Sequence, residues 1–331
     1  MAMQAARAPE GFDAKDVRLL AELDANARTP LTRLARRAGL SPQAASYRMA
    51  QLERRGAIRG YVTFFDMAKL GRMAYRLYVR LEDTAPGEEK SIIDYLRASR
   101  DVVWLVSTAG RWDLEVLFAA RNSVHFNSML RKAYERFPGK LHNNVASVSI
   151  ANYHQPRGYL HGARAAQASY GGEPSQPALD GKDKSIIKLI SQGARLNSSQ
   201  VGSRIGLNYK AVQARIKRME TAGLIRGYRM QLDCAKLGRT AHKAMFKLKR
   251  FSDEEEKKAL AFCRSSRDIV YMVTCAWPWD LEIEAECADQ TEFLGIVRSF
   301  RELMGGLVTD YDILAITEEH KLDYCPFAAE L

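Results

Sequence analysis

The sequence predicts an α+β chain built as two tandem copies, each a unit of three short helices followed by a βαββαβ unit. Three observations carry this. First, the stretch "LSPQAASYRMAQLERRGAIRGY" from Leu40 returns as "LNYKAVQARIKRMETAGLIRGY" from Leu207. Second, the two copies keep a constant register of 167 positions. It relates "DAKD" at Asp13 to "DGKD" at Asp180, "IRGY" at Ile58 to Ile225, "KLGR" at Lys69 to Lys236, "SRDVVW" at Ser99 to "SRDIVY" at Ser266, and "WDLE" at Trp112 to Trp279. A register held over about a hundred positions marks a duplication. Third, the hydrophobic spacing changes from helical to alternating at the same point of each copy.

The elements follow in order. "DAKDVRLLAELDAN" and "LTRLARRAG" read as two short helices. Ser41 is a suitable N-cap for a third, with Pro42 at the first helical position, where its missing N–H costs nothing. Gly56 stops that helix. "AGLS" between the second and third helices gives a helix-turn-helix, and the strand "IRGYVTFF" makes it winged-type. Next, "AYRLYVRL" alternates Tyr75, Leu77, Val79 and Leu81 against Arg76, Tyr78 and Arg80. A helix over 87–98, the strands "VVWLVST" and "WDLEVLFAA" about a hairpin-like "AGR", a helix over 122–136 and the strand "NNVASVSIANYH" complete the copy. In the second copy, "WDLEIEAE" sets Trp279, Leu281, Ile283 and Ala285 against Asp280, Glu282, Glu284 and Glu286, which predicts one buried face and one acidic, wet face. Boundaries fall at 12–62, 63–160, 179–229 and 230–331. The join, 161–178, is rich in Gly, Ala, Pro and Ser and reads as a linker unable to bury a core.

The 331 residues are 47% hydrophobic and 27% charged. No run approaches the roughly 18 apolar residues of a membrane span, and "MAMQAARAPEG" lacks an apolar signal core, so the expected place is the cytoplasm, associated with the nucleoid. Cys234, Cys263, Cys275, Cys287 and Cys325 are odd in number and widely spaced, which predicts reduced packing thiols rather than disulfides or a metal site. The net charge is +11, unevenly placed. Residues 13–61 hold ten Lys/Arg against five Asp/Glu, residues 180–228 ten against three, and residues 229–331 fourteen against nineteen. Two basic modules beside an acidic partner suit a polyanion.

On a helical wheel, Ala45, Met49 and Leu52 of the third helix face the core, as do Val212, Ile216 and Met219 of its counterpart. Gln43, Tyr47, Ala50 and Arg54 point outward, with Ser46 at the edge. The counterparts are Lys210, Ala214, Lys217 and Thr221, with Gln213 at the edge and Tyr209 at the helix start. Neither face holds an acid. Such a face suits the major groove, where Gln pairs with adenine and Lys reaches guanine. Arg54 and Lys217, and Arg59 and Arg226 beyond the turn, suit phosphate. Arg48 and Arg215 fall beside the core, and either hold a carboxylate inside the domain or touch phosphate. The expected partner is double-stranded DNA. Because the outward residues differ between copies, the two readers are expected to recognise different half-sites.

The pattern "LDAN…R…L…LARRAGLS…R…LERRGAIRGY…D…KLG", present twice, resembles the Lrp/AsnC (feast/famine) transcription regulators. The resemblance implies a ferredoxin-like βαββαβ ligand-sensing domain behind each helix-turn-helix. It also implies pairing of the two sensing sheets, here inside one molecule as a pseudo-dimer, with higher homo-oligomers open. In that family the turn between the second and third strands reads Gly-x-Tyr-Asp, and the surface near it binds amino-acid effectors. Gly110, Trp112 and Asp113 keep this pattern with Trp for Tyr, and are the implied effector residues. In the second copy Trp277 replaces the glycine and does not suit a positive φ.

Two alternatives stand beside the regulator. Fused siroheme decarboxylases resemble the same family, and their chemistry would draw on His125, His142, His154, His161 and Arg111. No nucleophile–base pair, carboxylate dyad or metal spacing is visible, so no catalytic function, cofactor or metal is expected. A low-specificity architectural protein would show phosphate contacts without base readout.

Overall fold

The computed structural model describes residues 11–161 and 168–331, apart from the side chain of His161. The first copy runs α1 (Ala14–Ala25), α2 (Leu31–Ala38), α3 (Pro42–Arg54), β1 (Ile58–Phe65), β2 (Met73–Arg80), α4 (Pro86–Ala98), β3 (Val102–Gly110), β4 (Leu114–Ala120), α5 (Ser123–Arg136) and β5 (Asn143–His154). After α6 (Gly158–His161) and β6 (Ala168–Gly171), the second copy repeats the order. It contains α7 (Gly181–Ser191), α8 (Ser198–Ile205), α9 (Tyr209–Thr221), β7 (Ile225–Leu232), β8 (Thr240–Leu248), α10 (Asp253–Ser265), β9 (Ile269–Ala276), β10 (Leu281–Cys287), α11 (Gln290–Met304) and β11 (Val308–Leu322).

Local chemistry explains the reading helices. Asp13 and Asp180 each close a capping box on the first helix of their copy. Ser41 Oγ accepts from the Ala44 amide, and Asn208 Oδ1 from the Ala211 amide, so α3 and α9 start on satisfied caps. Gly56 ends the first reader at φ 73°.

The copies are interleaved. β1 and β7 form an antiparallel ribbon, with Tyr61 opposite Met230. The core of the first reader, with Leu19, Leu23 and Leu52, includes Met230, Leu232 and Leu237 from the second copy. The core of the second, with Ile186, Ile190 and Met219, includes Val62 and Phe65 from the first. Backbone bonds cross the same way, from Ala27 N to Tyr228 O (3.0 Å) and from Asp233 N to Ala57 O (2.9 Å).

The sheets of the two βαββαβ units do more than stack. β5 pairs with β2 along its first half and β9 along its second, while β11 pairs with β8 and then β3. The ring β2-β4-β3-β11-β8-β10-β9-β5 thus closes on β2, which removes sheet edges. Helices cover the outside over two apolar cores, one holding Leu77, Val116 and Phe126 and the other Phe246, Ile283 and Phe300.

Closure corrects two expectations. The acidic face of β10 is not wet: Glu282 is fully buried, and Glu284 and Glu286 are nearly so, because the first copy's sheet covers them. The join also takes part in the core. Residues 168–171 add a strand to β5, and Tyr170, its one large ring, packs edge-on to Phe64 at 4.8 Å. Residues 162–167 of the expected linker lie outside those described. All five cysteines are free, four of them buried. Among the described residues no helix is long and apolar enough to cross a membrane.

Candidate nucleic-acid interface and the cavity behind it

The outward faces of both reading helices are open. Gln43, Ser46, Tyr47 and Arg54 are exposed on α3, and Tyr209, Lys210, Gln213 and Lys217 on α9. Tyr47 at 63% and Tyr209 at 49% exposure stand among the few large rings left to solvent. Among the described residues, none covers the outward side chains of these two helices.

Arg48 and Arg215 do not belong to that surface. Arg48 Nη1 lies 2.8 Å from both Asp13 and Asp16, and Arg215 Nη1 lies 2.7 and 2.8 Å from Asp180 and Asp183. Of the two roles open to them, the structure shows the carboxylate-holding one: each ties the reading helix to the capping box of the first helix. Backbone hydrogen bonding from Asp183, and then Arg215, holds the Asp180 carboxyl down at about 2. Arg59 is exposed but paired, with Nη2 2.7 Å from Glu319 Oε1 of β11. Arg226 leans on the join, 3.4 Å from Ser169 Oγ. Both make contacts with the body of the molecule.

At the implied effector turn, Gly110 has φ 139°. Asp113 accepts from the Leu81 amide at 2.8 Å and from Arg80 at 3.1 Å. Trp112 is buried and packs with Tyr78, Met245, Trp279 and Leu314 where the two sheets meet. Asp280 repeats the role of Asp113, accepting from the Leu248 amide at 2.8 Å and Lys247 at 3.1 Å. Trp277, contrary to expectation, adopts a positive φ of 49°, with its ring 74% exposed. This φ differs from the 139° of Gly110, so the turn takes a course of its own, and the peptide bond to Pro278 is cis.

Inside the barrel lies a charge cluster that the sequence did not reveal. Lys243 Nζ touches Glu115, and sits 3.2 Å from Glu282 and 3.1 Å from Glu284. Arg76 bonds Glu115 at 2.5 Å, and Tyr78 donates to Glu282 at 2.6 Å. The three carboxylates lie close enough to hold a metal ion, but two buried cations already pair with them and would repel one. Burial pushes the Glu115 carboxyl upward, with three acids facing two bases. The available signal was the alternation of Arg76 and Tyr78 in β2 against the acids of β10. It remained ambiguous because a second sheet over those rows is a tertiary fact.

Between the β1/β7 ribbon and the barrel is a cavity of about 540 Å³. Five arginines line it (Arg59, Arg76, Arg157, Arg229 and Arg239), together with His154 and His242. Of the candidates for tetrapyrrole chemistry, His154 alone is seen there. His125 lies 3.9 Å from Asp101, His142 stacks on Tyr134, and Arg111 pairs with Asp312 at 3.6 Å. The side chain of His161 lies outside the described residues.

Comparison with known proteins follows this division. Residues 12–53 match the AsnC-type helix-turn-helix domain, and residues 179–226 match a winged helix-turn-helix DNA-binding model. The uncharacterized HTH-type transcriptional regulator PF0054 of Pyrococcus furiosus is 30% identical over 144 residues, 43% of this chain and 93% of that protein. The regulator AldR of Mycobacterium tuberculosis is 31% identical over 123 residues, 37% of this chain and 69% of that protein. Each such relative corresponds to one copy. A crystal structure of the siroheme decarboxylase NirDL has a TM-score of 0.60 at 11% identity, covering 96% of this chain and 97% of that one. At that identity the likeness is one of fold, and it extends over both copies. With both readers exposed and single-copy regulators aligned to it, the chain belongs to the Lrp/AsnC transcription regulators, as a DNA-binding regulator in tandem form.

Proposed function

We propose that the chain reads an asymmetric operator whose two half-sites differ. The observation that carries this is the contrast between two exposed, acid-free faces, Gln43–Ser46–Tyr47 on α3 and Lys210–Gln213–Ala214 on α9. The ribbon that each reader packs against fixes their separation. Gln suits adenine and Lys suits guanine in the major groove. Readers of this class engage groove faces about 34 Å apart. Arg54 and Lys217 serve phosphate. Selection of bound duplexes from a random pool, followed by footprinting, tests the reading. A bipartite, non-palindromic consensus is expected; a perfect palindrome, or no consensus with a steep salt slope, overturns it.

An effector that shifts how the pair assembles is part of this reading. The Gly110–Trp112–Asp113 turn is a poor seat for it, since Asp113 and Trp112 are engaged within the fold.

A second reading rests on the cavity. One solved NirDL structure is described as a co-complex with an iron-uroporphyrin III analogue, and it has a TM-score of 0.59 to this chain at 12% identity. In this chain an arginine-lined space contains a buried histidine. Titration with haem and siroheme tests tetrapyrrole binding: a Soret shift lost in His154→Ala supports it, and an unchanged spectrum excludes it.

A further inference from the structure

The cavity under the ribbon is unevenly matched in charge. Three of its carboxylates are engaged: Glu286 accepts from Arg157 Nε and Nη2 at 2.8 and 2.9 Å. Glu319 accepts from Arg59 at 2.7 Å and from the Trp104 indole at 2.8 Å. Glu284 lies 3.1 Å from Lys243. Arg229 differs. It is 9% exposed, and among the described residues no carboxylate lies within ion-pair distance of it. Its Nη1 reaches the backbone oxygen of Asp24, at 3.3 Å, its guanidinium lies 5.5 Å from the centre of the Phe64 ring, and its Nε has no hydrogen-bond partner. His154 is 3% exposed and carries a second orphan, Nδ1. A buried guanidinium without a counter-charge is costly, so the site gains most from an anion brought in from outside.

Part of the remaining wall is aromatic. Trp104, Tyr271 and Tyr324 line the same space, and the two tyrosine hydroxyls bond each other at 2.6 Å. A volume of about 540 Å³ falls within the roughly 300–1,000 Å³ of sites that enclose small organic ligands.

We infer that this cavity binds a small aromatic carboxylate, with its acid group on Arg229 and its ring against Trp104, Tyr271 and Tyr324. A zwitterion fits less well at this depth, because Glu284, Glu286 and Glu319 already hold cations and the other two acids of the wall, Asp233 and Glu318, are not buried. The consequence for regulation rests on the DNA-reading proposal. Arg229 lies on β7, and its neighbour Tyr228 accepts the Ala27 amide of the first reader. A ligand there touches the strand that carries one reader and packs on the other.

Calorimetry on the full chain without DNA tests the binding, using 3-phenylpropanoate, 2-phenylethylamine and phenylalanine as probes with one ring and three charge states. The propanoate should bind, the amine should not, and phenylalanine should bind at least tenfold more weakly. Arg229→Gln should weaken the propanoate at least tenfold. Ala315→Phe, which fills the cavity and leaves Arg229 in place, should do the same if Arg229→Gln fails to fold. No heat with the propanoate, equal binding of phenylalanine, or binding unchanged in a folded variant overturns the inference. DNA affinity is measured separately, so loss of operator recognition with propanoate binding intact counts against the proposed function alone.

Discussion

At the scale of single residues, the two copies separate what the fold requires from what recognition requires. Core positions such as Met49 and Ile216 exchange one apolar side chain for another, while the exposed Gln43 and Lys210 change chemistry. A lost bidentate base contact costs about 1–3 kcal/mol. Gln43→Ala is therefore expected to relax base preference in one half-site and Lys210→Ala in the other, read by repeating the selection with each variant; identical changes in both half-sites would falsify the division of labour. His154 supports a second prediction. Burial first, and Arg229 second, hold its imidazole neutral well below the ordinary histidine range. The unfolded chain takes up a proton below about pH 6.5 and the folded chain does not. Stability therefore falls as pH drops through that range, by at most about 1.4 kcal/mol per pH unit from this group. Urea titrations at pH 7 and 5 should show His154→Gln losing less stability than the parent over that interval. The outward helix residues were legible because a period of 3.6 decides their direction. The roles of Arg48, Arg59 and Arg215 were not, since a basic side chain near a helix edge reaches phosphate and carboxylate equally well.

Among elements, strand alternation identified which residues share a face but not what lies over it. β10 shows this directly: Leu281, Ile283 and Ala285 meet helices as their pattern implies, while Glu282 and Glu284 meet Arg76 and Lys243. An antiparallel sheet usually leaves its polar face to water. Here the second sheet turns that face into an interior, and the acids persist because cations from both copies meet them. Lys243→Met should therefore cost about 3–5 kcal/mol, the range for removing one partner of a buried pair, as measured by chemical denaturation. Combining it with Glu115→Gln should recover part of the loss, because one excess carboxylate disappears with the lost cation. If the double variant were no more stable than the single one, electrostatic compensation would not be what holds these residues. The join was misread for a related reason: its composition is linker-like, yet Tyr170 is enough to dock residues 168–171 on β5.

For the molecule as a whole, duplication in sequence does not mean two independent halves. The first reader is completed by Met230 and Leu232, and the second by residues of β1. Thr63 Oγ1 donates to Ile190 O at 2.6 Å, which places α7 on that face of β1. Phe65 is two residues along the same face, fully buried in the core that contains Ile186 and Met219. Phe65→Ala is expected to cost about 3–5 kcal/mol. Although the substitution lies in the first copy, amide exchange should quicken mainly in α7–α9 and less in α1–α3. Binding should weaken mainly at the half-site read by Lys210. Quicker exchange confined to α1–α3 would mean that each reader depends on its own copy's strand. Such interleaving gives the chain a reason to remain fused. An unlinked dimer carrying two divergent readers would also form both like-with-like pairs, whereas one chain makes only the mixed pair, and so presents two different faces at one separation every time it folds.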